Sequence, residues 1–154
     1  MQPTIRDAEE GDLTGVLALY QELRPADPVL SPAVAREVFT TLLGRSGLHL
    51  MVCEIEDRLV ATCMLVVVPN LANGARPFGL IEHVVTLSSH QKRGYARLVL
   101  ERALAQAWVK GCYKVMLLSG AQRADAHRLY ESVGFVGDIE RGFVAKPIKA
   151  VANR

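Results

Sequence analysis

The chain has few of the residues that mark a secreted, metal-binding or nucleic-acid-binding protein. Among its 154 residues are only three cysteines, Cys53, Cys63 and Cys112, and none of them forms a C-x-x-C pair. This spacing argues against a disulfide framework and against a zinc site. The formal net charge is only +2, which gives no reason to expect a nucleic-acid partner. We therefore expect no metal, no nucleic acid and a reducing compartment.

The chain also lacks a hydrophobic run long enough to cross a membrane. Its longest run, residues 59–68, is half the ~20 residues that a transmembrane helix needs, and Pro69 follows it. The run is rich in valine, which is typical of a buried strand. Residues 1–10 are polar and acidic, unlike a secretory signal. These features predict a cytoplasmic protein with no membrane partner.

The chain does have enough apolar sequence for one folded domain. Half of its residues are hydrophobic and 22% are charged, a composition that does not fit disorder. The length predicts a single domain over residues 1–154, with a core at about residues 4–146. Hydrophobic periodicity predicts the order β, α, α, three strands, α, β, α, β. This order indicates a mixed α/β fold, a central sheet with helices on both faces.

Local patterns give the expected bounds of these elements. A strand is predicted over residues 4–6, followed by a helix whose apolar stripe, which includes Tyr20, ends before Pro25. Ser31 and Pro32 are typical of an N-cap and a first helical residue, and they predict a helix to about residue 43. Residues 48–56 and 59–68 predict a hairpin that turns at Asp57-Arg58. The remaining predictions are strands over 78–86, 113–118 and 142–148, helices over 97–110 and up to Gly134, and a loose end over 150–154.

The most informative segment is a short basic loop between a predicted strand and a predicted helix. Residues 91–96, QKRGYA, follow an apolar stretch and precede the helical periodicity. Such an order directs backbone N–H groups and a helix N-terminus at one spot, as in phosphate sites. The single glycine matches neither G-x-G-x-x-G nor G-x-x-x-x-G-K-[ST]. By themselves the residues leave two interpretations open, an anion site or an ordinary helix start with solvated basic side chains.

Three segments together resemble the GNAT superfamily of N-acetyltransferases. They are residues 91–96, which are similar to its Q/R-x-x-G-x-G/A signature, residues 81–86, which resemble its fourth strand, and residues 126–135, AHRLYESVGF, which resemble its A-x-x-L-Y-E-x-x-G-F segment. The resemblance implies a mostly antiparallel sheet whose fourth and fifth strands separate to admit acetyl-CoA as co-substrate. It also implies a homodimer and direct acetyl transfer, in a ternary complex, to a primary amine, for which a small molecule is our expectation.

The resemblance assigns the cofactor site as well. Backbone amides of the loop are expected to contact the pyrophosphate, and the fourth strand's backbone is expected to pair with the pantetheine arm. Gly94 suits this role because a Cβ would hinder the approach of a phosphate to the backbone. Arg123 stands where many members carry an asparagine that bonds the pantetheine; an arginine there can reach a phosphate or an acidic substrate. The cofactor-binding candidates are Val84, Val85, Gln91, Lys92, Arg93, Gly94, Tyr95, Ala96 and Arg123.

Glu82 and Tyr130 are the candidates for proton transfer. Glu82 is the lone carboxylate of an apolar strand; burial would raise its proton affinity toward a useful range for a base, and the family often has its base there. The alternatives are an ion pair with His83 or an arginine, or a side chain that faces solvent. Tyr130 matches the family residue near the coenzyme sulfur, where a phenol can protonate the leaving thiolate. Its alternative is a core tyrosine with a satisfied hydroxyl.

The acceptor and the class of function leave further alternatives. Four arginines, Arg24, Arg36, Arg76 and Arg123, would suit an anionic amine, although solvated surface arginines are the preferred explanation. His83 is predicted to be a packed, hydrogen-bonded residue on the strand face opposite Glu82. A protein or peptide amine is a second acceptor class, and a non-catalytic acetyl-CoA-binding sensor is a second class of function. Glu82 and Tyr130 favour the enzyme.

Overall fold

The computed structural model describes residues 2–148, in which five strands form one open sheet. The strands are β1 (Thr4–Asp7), β2 (Leu48–Ile55), β3 (Arg58–Val68), β4 (Phe78–Thr86) and β5 (Val115–Leu117), in the spatial order β1-β2-β3-β4-β5. The first three pairings are antiparallel and the β4–β5 pairing is parallel. Residues 59–63 of β3 are all buried, as in a strand covered on both faces. The predicted mixed, mostly antiparallel sheet is confirmed, while the loose end predicted over residues 150–154 lies outside the described residues.

Helices connect the strands close to the predicted positions. They are α1 (Leu13–Leu23), α2 (Pro32–Gly44), the single turn α3 (Ala72–Ala75), α4 (Tyr95–Val109) and α5 (Ala124–Ser132), with 3₁₀ turns at Glu10–Asp12 and Ser88–His90. Ser31 is the N-cap of α2: its Oγ accepts a hydrogen bond from the Val34 N–H at 3.3 Å, and Pro32 is the first helical residue. The start of α2 therefore follows from local sequence alone.

Three predictions about strands were wrong in detail or in kind. The hairpin turns at Glu56-Asp57, whose φ angles of 50° and 59° suit a two-residue turn, and not at Asp57-Arg58. The fifth strand has only three residues instead of the predicted 113–118. The predicted strand over residues 142–148 does not form; Phe143 and Ile148 are exposed there. The short β5 offers little edge to pair with, and Pro147 has no N–H to donate.

The core lies where α1 and α4 pack on the middle strands. Its fully buried members include Leu19 of α1, Met51 of β2, Leu65 of β3 and Leu100 of α4. The apolar stripe of α4 is buried from Val99 to Ala107, although Trp108 next to it is 52% exposed. This packing fixes α4 against the sheet, so its first turn is held just beyond the end of β4.

Candidate active site

β4 and β5 separate halfway along β4. Parallel pairing joins residues 79–81 of β4 to residues 115–117 of β5 and ends there, whereas β4 continues to Thr86. The later half of β4 therefore has no β5 partner along that edge. Backbone N–H and C=O groups on such an edge are free to pair with an extended ligand. Val84 and Val85, the residues expected to pair with the pantetheine arm, lie in this open stretch.

An irregularity of β4 lies in the same stretch. Thr62 and Met64 of β3 pair with Val85 and Glu82, so Cys63 alone lies opposite the two residues 83 and 84. His83 has a φ of 53°, a left-handed conformation that is uncommon outside glycine. Such a bulge bends the strand and interrupts the alternation of its side chains. The prediction that His83 lies on the face opposite Glu82 assumed an unbroken strand, and the bulge removes that assumption.

The loop before α4 has the backbone conformation of an anion site. Gly94 is the N-cap of α4 with φ 86° and ψ 1°, and no side chain caps the helix. The N–H groups of the first turn therefore have no partner within the helix. A Cβ placed on Gly94 would meet no atom within 4 Å, so the space in front of these amides is open. Residues 91–94 are exposed, and the loop fits a phosphate group held by backbone N–H groups.

Side chains add charge to this loop and fix its position. Lys92 and Arg93 form no ion pair within residues 2–148, whereas Arg97 is paired with Glu101 at 2.7 Å. The Gln91 side-chain amide donates a hydrogen bond to the Thr86 carbonyl at 3.4 Å, which joins the loop to the end of β4. The loop therefore presents two cations to an anionic ligand beside the open strand edge.

Tyr130 of α5 lies near the open half of β4. Its ring meets that of Phe135 edge to face, with centroids 6.1 Å apart. Burial raises the pKa of Tyr130, and the nearby Cys63 and Glu82 act in the same direction, while Arg123 lowers it. The phenol is therefore protonated at neutral pH and suits a proton donor. The fold thus brings Tyr130, Glu82 and Arg123 into one neighbourhood.

The expectation that Glu82 is buried was wrong. Its side chain is exposed, like that of Leu80 two residues earlier on β4, and it lies just beyond the last β4 residue that pairs with β5. Within the described chain it forms no ion pair with His83 or with an arginine. The alternative that Glu82 faces solvent is the one that the structure supports.

The four arginines proposed for an anionic acceptor differ in their surroundings. Arg76 is engaged elsewhere: its Nε donates to the Gly111 carbonyl at 3.3 Å and its Nη2 to the Cys112 carbonyl at 3.2 Å. Arg24 pairs with Asp27 at 2.6 Å, and Arg36 is exposed on α2. Arg123 is the N-cap residue of α5 and the arginine whose charge reaches Tyr130.

Sequence analysis missed Tyr20 as a residue of this site. It was assigned to the apolar stripe of α1, but its ring packs on that of His83, with centroids 5.1 Å apart and a tilt of 53°. Burial raises the pKa of Tyr20 to about 12, and Cys63 adds to the increase. Tyr20 is the one residue of the α1 apolar stripe with a hydroxyl, and a buried tyrosine hydroxyl usually has a hydrogen-bond partner. This hydroxyl is the signal that could have identified Tyr20.

Two further properties concern metals and membranes. In the described part of the chain, no cluster of three or more His, Cys, Asp or Glu side chains is arranged to hold a metal ion. Over the same residues, no helix combines the length and the apolar character that crossing a membrane requires.

An open strand edge that leads to a phosphate loop at a helix N-terminus is the arrangement of an acyl-CoA-binding transferase. The sequence matches the acetyltransferase (GNAT) family over residues 16–135, and the chain belongs to this family. It is therefore an acyl-CoA-dependent N-acetyltransferase with acetyl-CoA as its co-substrate.

Individual relatives span nearly the whole chain. Glucosamine 6-phosphate N-acetyltransferase of Trypanosoma brucei brucei is 30% identical over 133 residues, which cover 85% of this chain and 87% of that protein. The structure of an Agrobacterium tumefaciens protein assigned as an acetyltransferase is 44% identical, with a TM-score of 0.90 and coverage of 94% and 99%. A transcriptional regulator from Bacillus halodurans is 25% identical, with a TM-score of 0.85 and the same coverage.

Proposed function

We propose that the protein transfers the acetyl group of acetyl-CoA to the primary amine of a small molecule, directly and in a ternary complex. The observation that carries this proposal is the meeting of the open β4 edge, the Gly94 loop and the Tyr130 phenol. The edge and the loop suit the two ends of an extended cofactor, and the phenol lies near the edge. An amine that enters beside Glu82 would meet the thioester there.

The backbone is proposed to do most of the cofactor binding. The amides of residues 91–96 would hold the pyrophosphate, with Lys92 and Arg93 adding positive charge. Val84 and Val85 would pair with the pantetheine arm through main-chain groups, as an added strand does. Arg123 would reach either a cofactor phosphate or an acidic group of the acceptor, because its planar guanidinium binds such groups through two hydrogen bonds.

The proposed chemistry needs one proton acceptor and one proton donor. Glu82 takes a proton from the ammonium, directly or through water, and the free amine attacks the thioester carbonyl. The new C–N bond forms, the C–S bond breaks, and Tyr130 supplies a proton to the departing thiolate. A covalent acetyl-cysteine route is disfavoured, because burial raises the pKa of Cys53 to about 11 and of Cys63 to about 12, and the thiolate is the nucleophilic form.

Among small amines, an amino-sugar phosphate is the first acceptor that we propose. The T. brucei relative is named for glucosamine 6-phosphate and aligns with 85% of this chain. Arg123 offers the cation that a phosphate group needs, at a position near Tyr130. A sugar phosphate would then carry its amine to the thioester while its anionic end contacts Arg123.

Two other functions make different predictions. A protein or peptide amine as acceptor is favoured by the exposed apolar residues Val34 and Val38 of α2 and Leu30 just before it, which would suit a longer substrate. A non-catalytic acetyl-CoA sensor is favoured by the similarity to the B. halodurans regulator. The sensor would bind acetyl-CoA without turnover and would be indifferent to changes at Glu82 or Tyr130.

We also propose that the single domain over residues 1–154 acts as a cytoplasmic homodimer. The segment after α5 exposes Phe143, Val144 and Ile148 at 87%, 67% and 95%, and a second copy would cover such an apolar surface. Light scattering or sedimentation should give about twice the chain mass; a monomer at micromolar concentration would contradict the dimer.

The test of function is CoA release from acetyl-CoA with a panel of amines, followed by mass spectrometry of the product. The matched pair in the panel is glucosamine 6-phosphate and glucosamine, which differ only in the phosphate. We expect transfer to the phosphate compound, and we expect Arg123→Gln to lower kcat/KM for it more than for glucosamine. Transfer to peptides alone would favour the second acceptor class. Tight acetyl-CoA binding with no transfer to any amine would favour the sensor.

A further inference from the structure

His83 lies between α1 and the open half of β4 and has no place in the chemistry described so far. Its ring is partly buried, and within residues 2–148 it makes no hydrogen bond. Neither ring nitrogen is among the fully buried polar atoms without a partner, so both retain contact with solvent. His83 was expected to be packed and hydrogen-bonded. Its ring is packed on that of Tyr20, but the expected hydrogen bond is not formed within the described residues.

Two features hold this ring in one place. The left-handed backbone of the bulge, with φ 53°, sets the direction in which the side chain leaves the strand. Tyr20 then packs on the ring at 5.1 Å. A left-handed conformation is strained for a residue that carries a Cβ. Strained backbone of this kind clusters at functional sites.

The opening of the sheet creates a need that His83 can meet. Glu82 is exposed, and a carboxylate that has taken a proton must pass it on before the next turnover. An imidazole suits that task, because it can both accept and release a proton near neutral pH. His83 directly follows Glu82 in the chain, at a bulge that removes the alternation that would otherwise separate their side chains.

We propose that His83 is the group that receives the acceptor's proton from Glu82 and passes it to solvent, and that Tyr20 is its positioning residue. The assignment rests on the proposed function. Of the three ammonium protons, one leaves through Glu82 and a bridging water to His83 and then to bulk solvent. A second ends on the coenzyme sulfur by way of Tyr130, and the third remains on the amide nitrogen. Each turnover thus releases one proton through the imidazole.

Charged groups on several elements face this imidazole. They are Glu82 on its own strand and Asp27, which follows α1. The pKa of Asp27 is lowered mainly by its hydrogen bond with Arg24, and His83 contributes in the same direction. Tyr20 of α1 is neutral up to high pH, as is Cys63 of β3, because burial raises the pKa of both groups to about 12, and the Tyr130 phenol is likewise neutral. Because only the neutral imidazole can accept a proton, activity is expected to fall at acid pH, which gives the pH profile an acid limb.

The test is the pH dependence of kcat/KM for the acceptor that the panel identifies. His83→Asn suits the backbone, because asparagine tolerates the left-handed region, and it should lower kcat/KM about 100-fold and abolish the acid limb. His83→Gly, which suits the same backbone, should recover activity when free imidazole is added. Tyr20→Leu, which removes the stacked ring, should displace the acid limb and leave the affinity for acetyl-CoA unchanged.

The matched control is His49→Asn. His49 is a β2 histidine paired with Asp7 at 3.3 Å, and its replacement should leave the limb in place. An acid limb that persists in His83→Asn, or the absence of imidazole rescue in a His83→Gly variant that still binds acetyl-CoA, would overturn the assignment. Absence of transfer by the wild-type enzyme would instead overturn the proposed function.

Discussion

The two sides of the proposed site differ in the groups that they offer. The proposed cofactor side is one continuous segment, residues 84–97, which offers main-chain groups on a strand edge and at a helix N-terminus. The proposed acceptor side gathers side chains from separate segments, with Tyr20 from α1, His83 from the bulge and Tyr130 from α5. Backbone groups survive most substitutions, whereas side chains do not. The fold can therefore keep its cofactor while its acceptor changes.

The largest expected effect comes from Tyr130. It lies on the proposed acceptor side, but its phenol is proposed to protonate the thiolate of the coenzyme. Tyr130→Phe keeps the ring packed against Phe135 but removes the proton donor. We expect kcat to fall about 10²–10⁴-fold, with little change in KM for acetyl-CoA, measured by steady-state CoA release. A fall of less than threefold would mean that water protonates the thiolate and that Tyr130 is a packing residue.

The direction of the Tyr130 pKa shift gives a further check on the same residue. Because the phenol must be protonated to donate, kcat should fall as the pH rises through its pKa. That pKa is raised, mainly by burial, so the fall should lie above the ordinary value of about 10. A basic limb near pH 8 that is lost in Tyr130→Phe would contradict the protonation state inferred here.

A smaller effect, confined to the cofactor side, is expected at Gly94. Gly94→Ala and Gly111→Ala lie just before and just after α4, at φ 86° and 79°, and a new Cβ meets nothing within 4 Å at either position. Both should lose a similar stability, about 1–2 kcal/mol. Only Gly94→Ala should weaken acetyl-CoA binding, by about tenfold in calorimetry, because only there would the methyl group stand before the phosphate. Equal affinities in the two variants would contradict a phosphate contact at Gly94.

The smallest effect is expected at a network that touches neither side. Arg6 donates hydrogen bonds to Asp12, at 2.6 and 3.1 Å, and to Glu54. The hydrogen bonds from Arg6 are the main reason that the pKa of Asp12 is lowered. Asp12→Asn should therefore cost about 1–2 kcal/mol in the free energy of unfolding at pH 7, measured by urea denaturation, without altering either KM.

The pH dependence of this loss follows from the lowered pKa. A carboxyl group whose pKa is lower in the folded state stabilises the protein above its unfolded value, near 4, and loses that contribution as the pH falls through the folded value. The difference between wild type and Asp12→Asn should accordingly shrink below about pH 4. A difference that stays constant down to pH 2 would show that the ion pair contributes nothing.

Local signals were sufficient for the cofactor side. The segment around Gly94 predicted the strand, loop and helix that the structure has there. Elsewhere in the chain, Ser31-Pro32 predicted the start of α2 in the same way. These features depend on residues within a few positions of one another. A single sequence can therefore reveal them.

The acceptor side depends on contacts that no local pattern records. The opening of the sheet beside Glu82 follows from where β5 stops pairing, and the contact of Tyr20 with His83 follows from how α1 lies on the sheet. The unformed strand after Phe135 depends on the length of a neighbouring edge. Each of these is a relation between distant segments.

The three cysteines have a practical consequence for the experiments above. Cys53, Cys63 and Cys112 are at most 3% exposed, so a disulfide dye that reacts with free thiols should ignore the folded protein and count only the coenzyme thiol released by turnover. Unfolding exposes all three. The same dye, used with denaturant and without substrate, then measures the rate of global unfolding, because three thiols react for each chain that unfolds.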